Sequence, residues 1–252
     1  MQNLRSLFWP IGSYSSLSVF LLLFISCKQE SEVADKRIKQ MDPVRTAELA
    51  TSIEASVTPT LAPGLTLKIW GVDSLVADPV SIDVDDMGQL YYTRTNRQKN
   101  SEFDIRGHQD WEIESIQLKT IEEKRAFLHR VLSPENSKKN EWLADLNKDG
   151  SHDWKDMTIE KEHVYRLEDT SGDGVADQSQ LVVEDFHDEV TDAMGGILKH
   201  GDDLFVDIGP DMWRIKDSNG DGLADEKTSI SHGYGIHVGF SGHGMSGIEV
   251  GP

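Results

Sequence analysis

Two stretches of this chain are near-copies of one another about 48 residues apart, 164–177 (VYRLEDTSGDGVAD) and 212–225 (MWRIKDSNGDGLAD). Each opens as a strand, turns through an Asp/Gly loop and runs on into a second extended stretch, 180–183 in one copy and 227–230 in the other. A hairpin pattern precedes each copy. Residues 80–84 (VSIDV) alternate at period two, 85–88 (DDMG) turn the chain, and 89–93 (QLYYT) return. The same grammar recurs as 195–200, a turn at 201–203 and 204–208, and a third copy starts at 247–252. A unit of this length with four short strands is the size of a β-propeller blade, whereas a solenoid of β-turns would have shorter and more uniform units. The expected fold is therefore mainly β, an incomplete propeller of about two and a half blades over residues 64–252. Since a closed propeller takes at least four blades, the chain reads as a fragment.

One insertion interrupts the repeat at about 96–162. Within it, 120–132 (TIEEKRAFLHRVL) places Ile121, Phe127, Leu128, Val131 and Leu132 near one helical face, with acids in the first turn and Pro134 beyond the end. This is a packing helix.

The Asp/Gly loops carry the chemistry. Asp145, Asn147, Asp149, Ser151, Asp153 and Asp156 occupy the first, third, fifth, seventh, ninth and twelfth places of a calcium-type loop with Gly150 at the sixth. Asp169, Ser171, Asp173, Val175 and Asp177 repeat the first nine places, as do Asp217, Asn219, Asp221, Leu223 and Asp225. Calcium takes six to eight oxygens, and alternate side chains plus one backbone carbonyl at the seventh place supply them from a tight turn. In the last two loops the twelfth place holds Gln180 and Thr228 instead of an acid. Calcium in these loops would be structural.

Charge points the same way: 25 Lys and Arg stand against 44 Asp and Glu, a formal net charge of −19. Such a surface repels phosphate backbones, so no nucleic-acid partner is expected, and it invites cations. The single cysteine excludes an intrachain disulfide and a Cys-based zinc or haem site. No nucleophile elbow, P-loop or dinucleotide fingerprint occurs.

That cysteine has a place in the leader. Arg5, the apolar run 17–25 (LSVFLLLFI) and Ser26-Cys27 followed by KQESE read as a signal peptide over 1–26 whose end resembles a bacterial lipobox. The resemblance implies lipidation of Cys27, and hence an exported protein anchored to a membrane and facing the periplasm or cell surface. Residues 27–63 have no sustained period and end in Thr and Pro, the pattern of a flexible tether.

The two 14-residue copies, with the tail 233–252 and its Gly-His-Gly-Met-Ser-Gly phrase, resemble secreted bacterial propellers related to quinone-dependent glucose/sorbosone dehydrogenases, the membrane-bound dehydrogenase or haem-binding-domain proteins. The resemblance covers about 65–252. It implies oxidation of a sugar or similar alcohol with a quinone such as PQQ in the full-length protein, and haem only where a C-terminal domain absent from this sequence exists. It also implies His243 as the catalytic base. Two departures weaken that transfer: Ile248 stands where the family pattern has Arg, and the His-to-Gly spacing is longer. The competing reading is a non-catalytic, calcium-stabilised module that binds a glycan or a protein. A dockerin-like adaptor built on residues 145–156 is a third, disfavoured because 158–164 lead straight into a strand. His187 and Asp188 are read as surface, and His152 and His163 as solvated.

Overall fold

A computed structural model describes residues 37–251. The leader, Cys27 and the first part of the expected tether lie outside the described residues. The chain runs β1 (Ile38–Gln40), α1 (Pro43–Ser56), β2 (Ile82–Val84), β3 (Leu90–Arg94), α2 (Glu112–Ser115), α3 (Ile121–Val131), β4 (Glu162–Glu168), β5 (Gln178–Asp185), β6 (Gly196–His200), β7 (Asp203–Ile208), β8 (Asp211–Lys216) and β9 (Glu226–His232). The fold is mainly β. Two antiparallel sheets form, one of five strands in the order β1-β5-β4-β3-β2 and one of four in the order β6-β7-β8-β9. Apart from β1 at its edge, the first sheet is the same up-and-down four-strand meander as the second. The repeat extends to an irregularity: β4 shifts register between Val164 and Tyr165, and β8 does so at the matching Met212 and Trp213. The described residues do not close these sheets into a barrel or ring.

Alternation along the strands sets the layers. Tyr91, Val164, Val182 and Val183 of the first sheet share one buried cluster with Ile197, Leu204, Val206, Ile208 and Ile215 of the second. Each such side chain contributes about 1.5–3 kcal/mol on leaving water, which makes this seam the main cohesive element. Tyr92 and Leu167 point the other way, into a cluster with Val72, Leu75, Ala176 and Ala50 of α1. Asp42 caps α1 by accepting from Arg45 N at 3.1 Å, Pro43 occupies its first turn, and Glu54 accepts from Ile69 N at 2.9 Å.

The tether expectation is therefore corrected for residues 38–56. β1 pairs with β5, Ile38 opposite Gln180, and α1 covers the outer face of β3 and β4. What holds the segment is the apolar face of a sheet far along the chain, which its own polar composition does not reveal. The third hairpin copy is corrected too, because 247–251 contain no strand. The tail instead crosses beside the entry to β6. A Cβ on Gly195 would come within 1.8 Å of Met245 O, and one on Gly196 within 2.7 Å of Gly247 N, so only glycine permits this approach.

Between β3 and β4 the chain leaves the sheet for the expected helical insertion. Thr120 accepts from Glu123 N at 3.1 Å to start α3, and Ile121, Phe127 and Leu128 are buried with Trp111, Leu132, Leu143 and Met157. Arg97, fully buried, fastens the insertion: its guanidinium donates to the carbonyls of Met157, Glu160, Asp188 and Thr191.

Candidate functional site

The first loop, 145–156, lies in the insertion ahead of β4; the second, 169–177, joins β4 to β5; the third, 217–225, joins β8 to β9. In the first, the carboxylates organise the backbone. Asp145 Oδ2 accepts from Gly150 N at 3.0 Å, Asn147 Oδ1 from Asp149 N at 2.9 Å, and Asp149 Oδ1 from Ser151 N at 2.8 Å. Asp156, fully buried, closes the loop by accepting from Leu146 N, Asn147 N and Asp153 N at 2.9, 3.2 and 2.9 Å. Gly150 holds φ at +84°, the left-handed turn expected of the sixth place.

With the backbone donors served, three oxygens of this loop are left over. Asp145 Oδ1, Ser151 Oγ and Asp153 Oδ2 are buried with no hydrogen-bond partner, and the Lys155 ammonium stands 3.9 Å from Asp153 Oδ2. Orphaned buried oxygens cost free energy unless something positive or hydrogen-donating meets them. The residues present fit a hard cation. The carboxylates are nonetheless not gathered as they would be around an ion: among the described residues no three His, Cys, Asp or Glu side chains converge on a single point. They face backbone N–H groups instead, so cation binding there would require rotation of side chains within an already turned loop.

The second and third loops follow the same plan with one substitution of role. Asp169 accepts from Gly172 N and Gly174 N, each at 2.7 Å, and Asp217 accepts from Gly220 N and Gly222 N, each at 2.7 Å. Asp177 Oδ1 accepts from Thr170 N at 2.9 Å, and Asp225 Oδ1 from Ser218 N at 2.8 Å. The ninth residue thus does in these loops what Asp156 does at the twelfth place of the first. Although partial burial works against it, the N–H groups of Gly174 and Gly172 hold Asp169 below the usual carboxylate range. Ser218, through its N–H and hydroxyl, lowers Asp225. Asp177 is fully buried with Oδ2 unpartnered, whereas Asp225 is exposed. Gln180 instead ties the first sheet to the third loop, since its Nε2 donates to Gly222 O at 3.3 Å. Arg37 reaches the third loop as well, donating to Asp221 Oδ1 at 3.2 Å and Asp221 O at 3.0 Å.

His243 is exposed on the tail, its N–H donating to Phe240 O at 3.1 Å and its ring edge-on to Phe240. It stands at the rim of a cavity of about 100 Å³ shared with Glu102, Lys124 and Asp192. The buried Lys124 ammonium there is fully engaged, at 2.7 Å from Gly235 O, 3.2 Å from Asp192 Oδ1 and 3.3 Å from Val190 O. Among the described residues no acid orients the His243 ring. A space of this size holds a few water molecules and does not admit a three-ring quinone.

A model of a domain family of unknown function, DUF7133, matches residues 53–252, which include all three loops, both four-strand meanders and the whole insertion. The chain belongs to the DUF7133 family. No curated protein and no solved structure matches it. β1 and most of α1 precede the matched DUF7133 region, so the cover on the first sheet's outer face is largely an addition to it.

Arg97 aside, three buried ionisable side chains of this DUF7133 chain stand out as missed by sequence reasoning. Burial raises the Glu162 pKa even though Met194 N, Thr95 Oγ1, Arg97 N and Asn96 N all donate to its carboxylate at 2.9–3.1 Å. Burial likewise raises Asp207, whose Oδ1 is unpartnered. Lys124 is the third. All three are surrounded by groups distant in sequence, so no local spacing could announce them. His152 and His163, expected in solvent, are half-buried: His152 Nδ1 lies 2.6 Å from Leu143 O and His163 Nδ1 3.1 Å from Asn96 Nδ2. His187 is pinned similarly, its Nδ1 2.9 Å from Thr158 O.

Proposed function

We propose that this chain is a calcium-braced pair of β-propeller blades, the N-terminal portion of an exported protein held to a membrane by a lipid on Cys27. The observation that carries the calcium reading is the set of buried oxygens without a hydrogen-bond partner on Asp145, Ser151, Asp153 and Asp177, in loops whose backbone is already turned. Those residues would hold the ion together with the remaining loop oxygens, and calcium would supply the positive charge that offsets repulsion among the carboxylates. The repeated four-strand meander, with matching bulges in β4 and β8, supports the blade assignment. α1 leaves β2 uncovered, with Val80, Ile82 and Val84 exposed, and a closed ring would seat its last blade there. Thermal unfolding of the purified protein tests the reading: calcium should raise the midpoint at concentrations where magnesium does not, and chelation should lower it. An unmoved midpoint would refute it. Cys27→Ser should abolish incorporation of labelled fatty acid in the producing cell.

The resemblance to quinone-dependent dehydrogenases supplies a second reading, oxidation of a sugar or alcohol, and His243 at the rim of a cavity shared with Glu102, Lys124 and Asp192 is the observation in its favour. The quinone would accept the hydride. Residues 37–251 alone do not provide space for it beside His243. Dye reduction with added PQQ and glucose, compared in wild type and His243→Ala, separates this reading from a binding module, for which both proteins stay silent.

A further inference from the structure

The helical insertion carries a second concavity, remote in its chemistry from the loops. Residues from the turns before α2, the end of α3 and the segment after it enclose a cleft of about 680 Å³, within the ~300–1,000 Å³ range of small-molecule sites. One wall is aromatic. The His108 ring stacks on Trp111 at 4.0 Å between centroids and leans on Trp142 at 4.4 Å, while Phe103 braces Trp142 edge-on at 5.4 Å. Trp111 is buried at 7% exposure, but Trp142 is 47% exposed. The half-exposed ring, which also meets Trp111 at 6.1 Å between centroids, is thus held from three sides and loses little freedom when something lies against it.

The remaining wall is polar and of mixed sign. Asp110 and Lys139 are exposed and form no ion pair among the described residues, and Arg130, the third charged side chain of the lining, is neutralised by an ion pair with Glu114 outside it. Asn136 and Asn140 direct their amide N–H groups to Val131 O, at 3.5 and 3.1 Å, leaving their side-chain oxygens as acceptors. Burial lowers the His108 pKa, so at neutral pH the imidazole offers one donor and one acceptor. A fixed indole beside separate donors and acceptors, without a dominant charge, matches a neutral ligand that has an apolar C–H face and many hydroxyls. A phosphate would want the cations concentrated, and an apolar peptide would leave these polar groups unpaired.

We infer that the cleft between Trp142, His108 and Asp110 is a saccharide-binding site. It does not depend on the calcium reading, and the test is run with calcium present so that the two fail separately. Cellotriose, xylotriose, maltotriose and chitotriose are each titrated to about 10 mM against the purified chain, with tryptophan fluorescence and saturation-transfer NMR as readouts. At least one should bind saturably. Trp142→Ala should weaken that binding by about tenfold or more, and Trp142→Phe, which keeps a flat ring, by about threefold or less. Asp110→Ala, at an exposed position that leaves the aromatic wall intact, should weaken it by about threefold or more and guards against a Trp142 variant that misfolds. Absence of saturable binding for all four sugars, or binding unchanged in both Trp142→Ala and Asp110→Ala, would overturn the inference.

Discussion

Asp207 illustrates how a single residue departs from what its neighbours in sequence suggest. It lies in β7 opposite Gly196, is 3% exposed, and has one carboxylate oxygen without a partner. Because burial raises its pKa in the folded state, its favourable contribution is complete below the unfolded value near 4 and is lost as pH rises through the folded value. Asp207→Asn should therefore raise the melting temperature at pH 7 by about 2–4 °C, the equivalent of ~1 kcal/mol for a chain of this size, and the gain should vanish near pH 4. Glu162 is the opposite case, a buried acid whose two oxygens serve four donors, three from the turn after β3 and one from the entry to β6. Glu162→Gln replaces one acceptor by an amide that confronts a donor, and denaturant unfolding should register a loss of about 2 kcal/mol. Neither effect was legible in the sequence. The loops were, because the hydrogen bonds that turn each of them lie within the loop itself, so spacing alone encodes the turn; what spacing missed is that Asp177 and Asp225 close their loops at the ninth place.

Among the elements, legibility follows the same rule of distance. The hairpins β2–β3 and β6–β7 and helix α3 announce themselves through alternation, turn residues and a capping threonine, all local signals. α1 does not. Its buried residues are Thr46 and Ala50, too small and too few to mark an apolar stripe, and they are buried only because Tyr92 and Leu167 present a sheet face to them. If α1 is a structural cover, Ala50→Asp should destabilise the protein by about 2–4 kcal/mol in chemical unfolding, through an unpaired charge placed against that face. A tether would tolerate the same change without measurable loss. The aromatic cleft was invisible for a related reason, since Phe103, Trp111 and Trp142 meet only once the insertion has folded around Arg97.

At the scale of the whole molecule, the two sheets are joined by an apolar seam and by polar ties at the loop end, where Gln180 and Arg37 of the first sheet's side reach the third loop. An acidic chain with a net charge of −19 concentrates carboxylates in these loops, and the account assigns their compensation to calcium. Isothermal titration of calcium into the chelator-stripped protein tests this most directly. The account predicts saturable binding of at least one ion per chain, reduced about tenfold or more in affinity by Asp153→Asn, which removes the charge of the buried ninth-place carboxylate. Heat indistinguishable from dilution, or binding left intact by that substitution and by Asp177→Asn together, would contradict it.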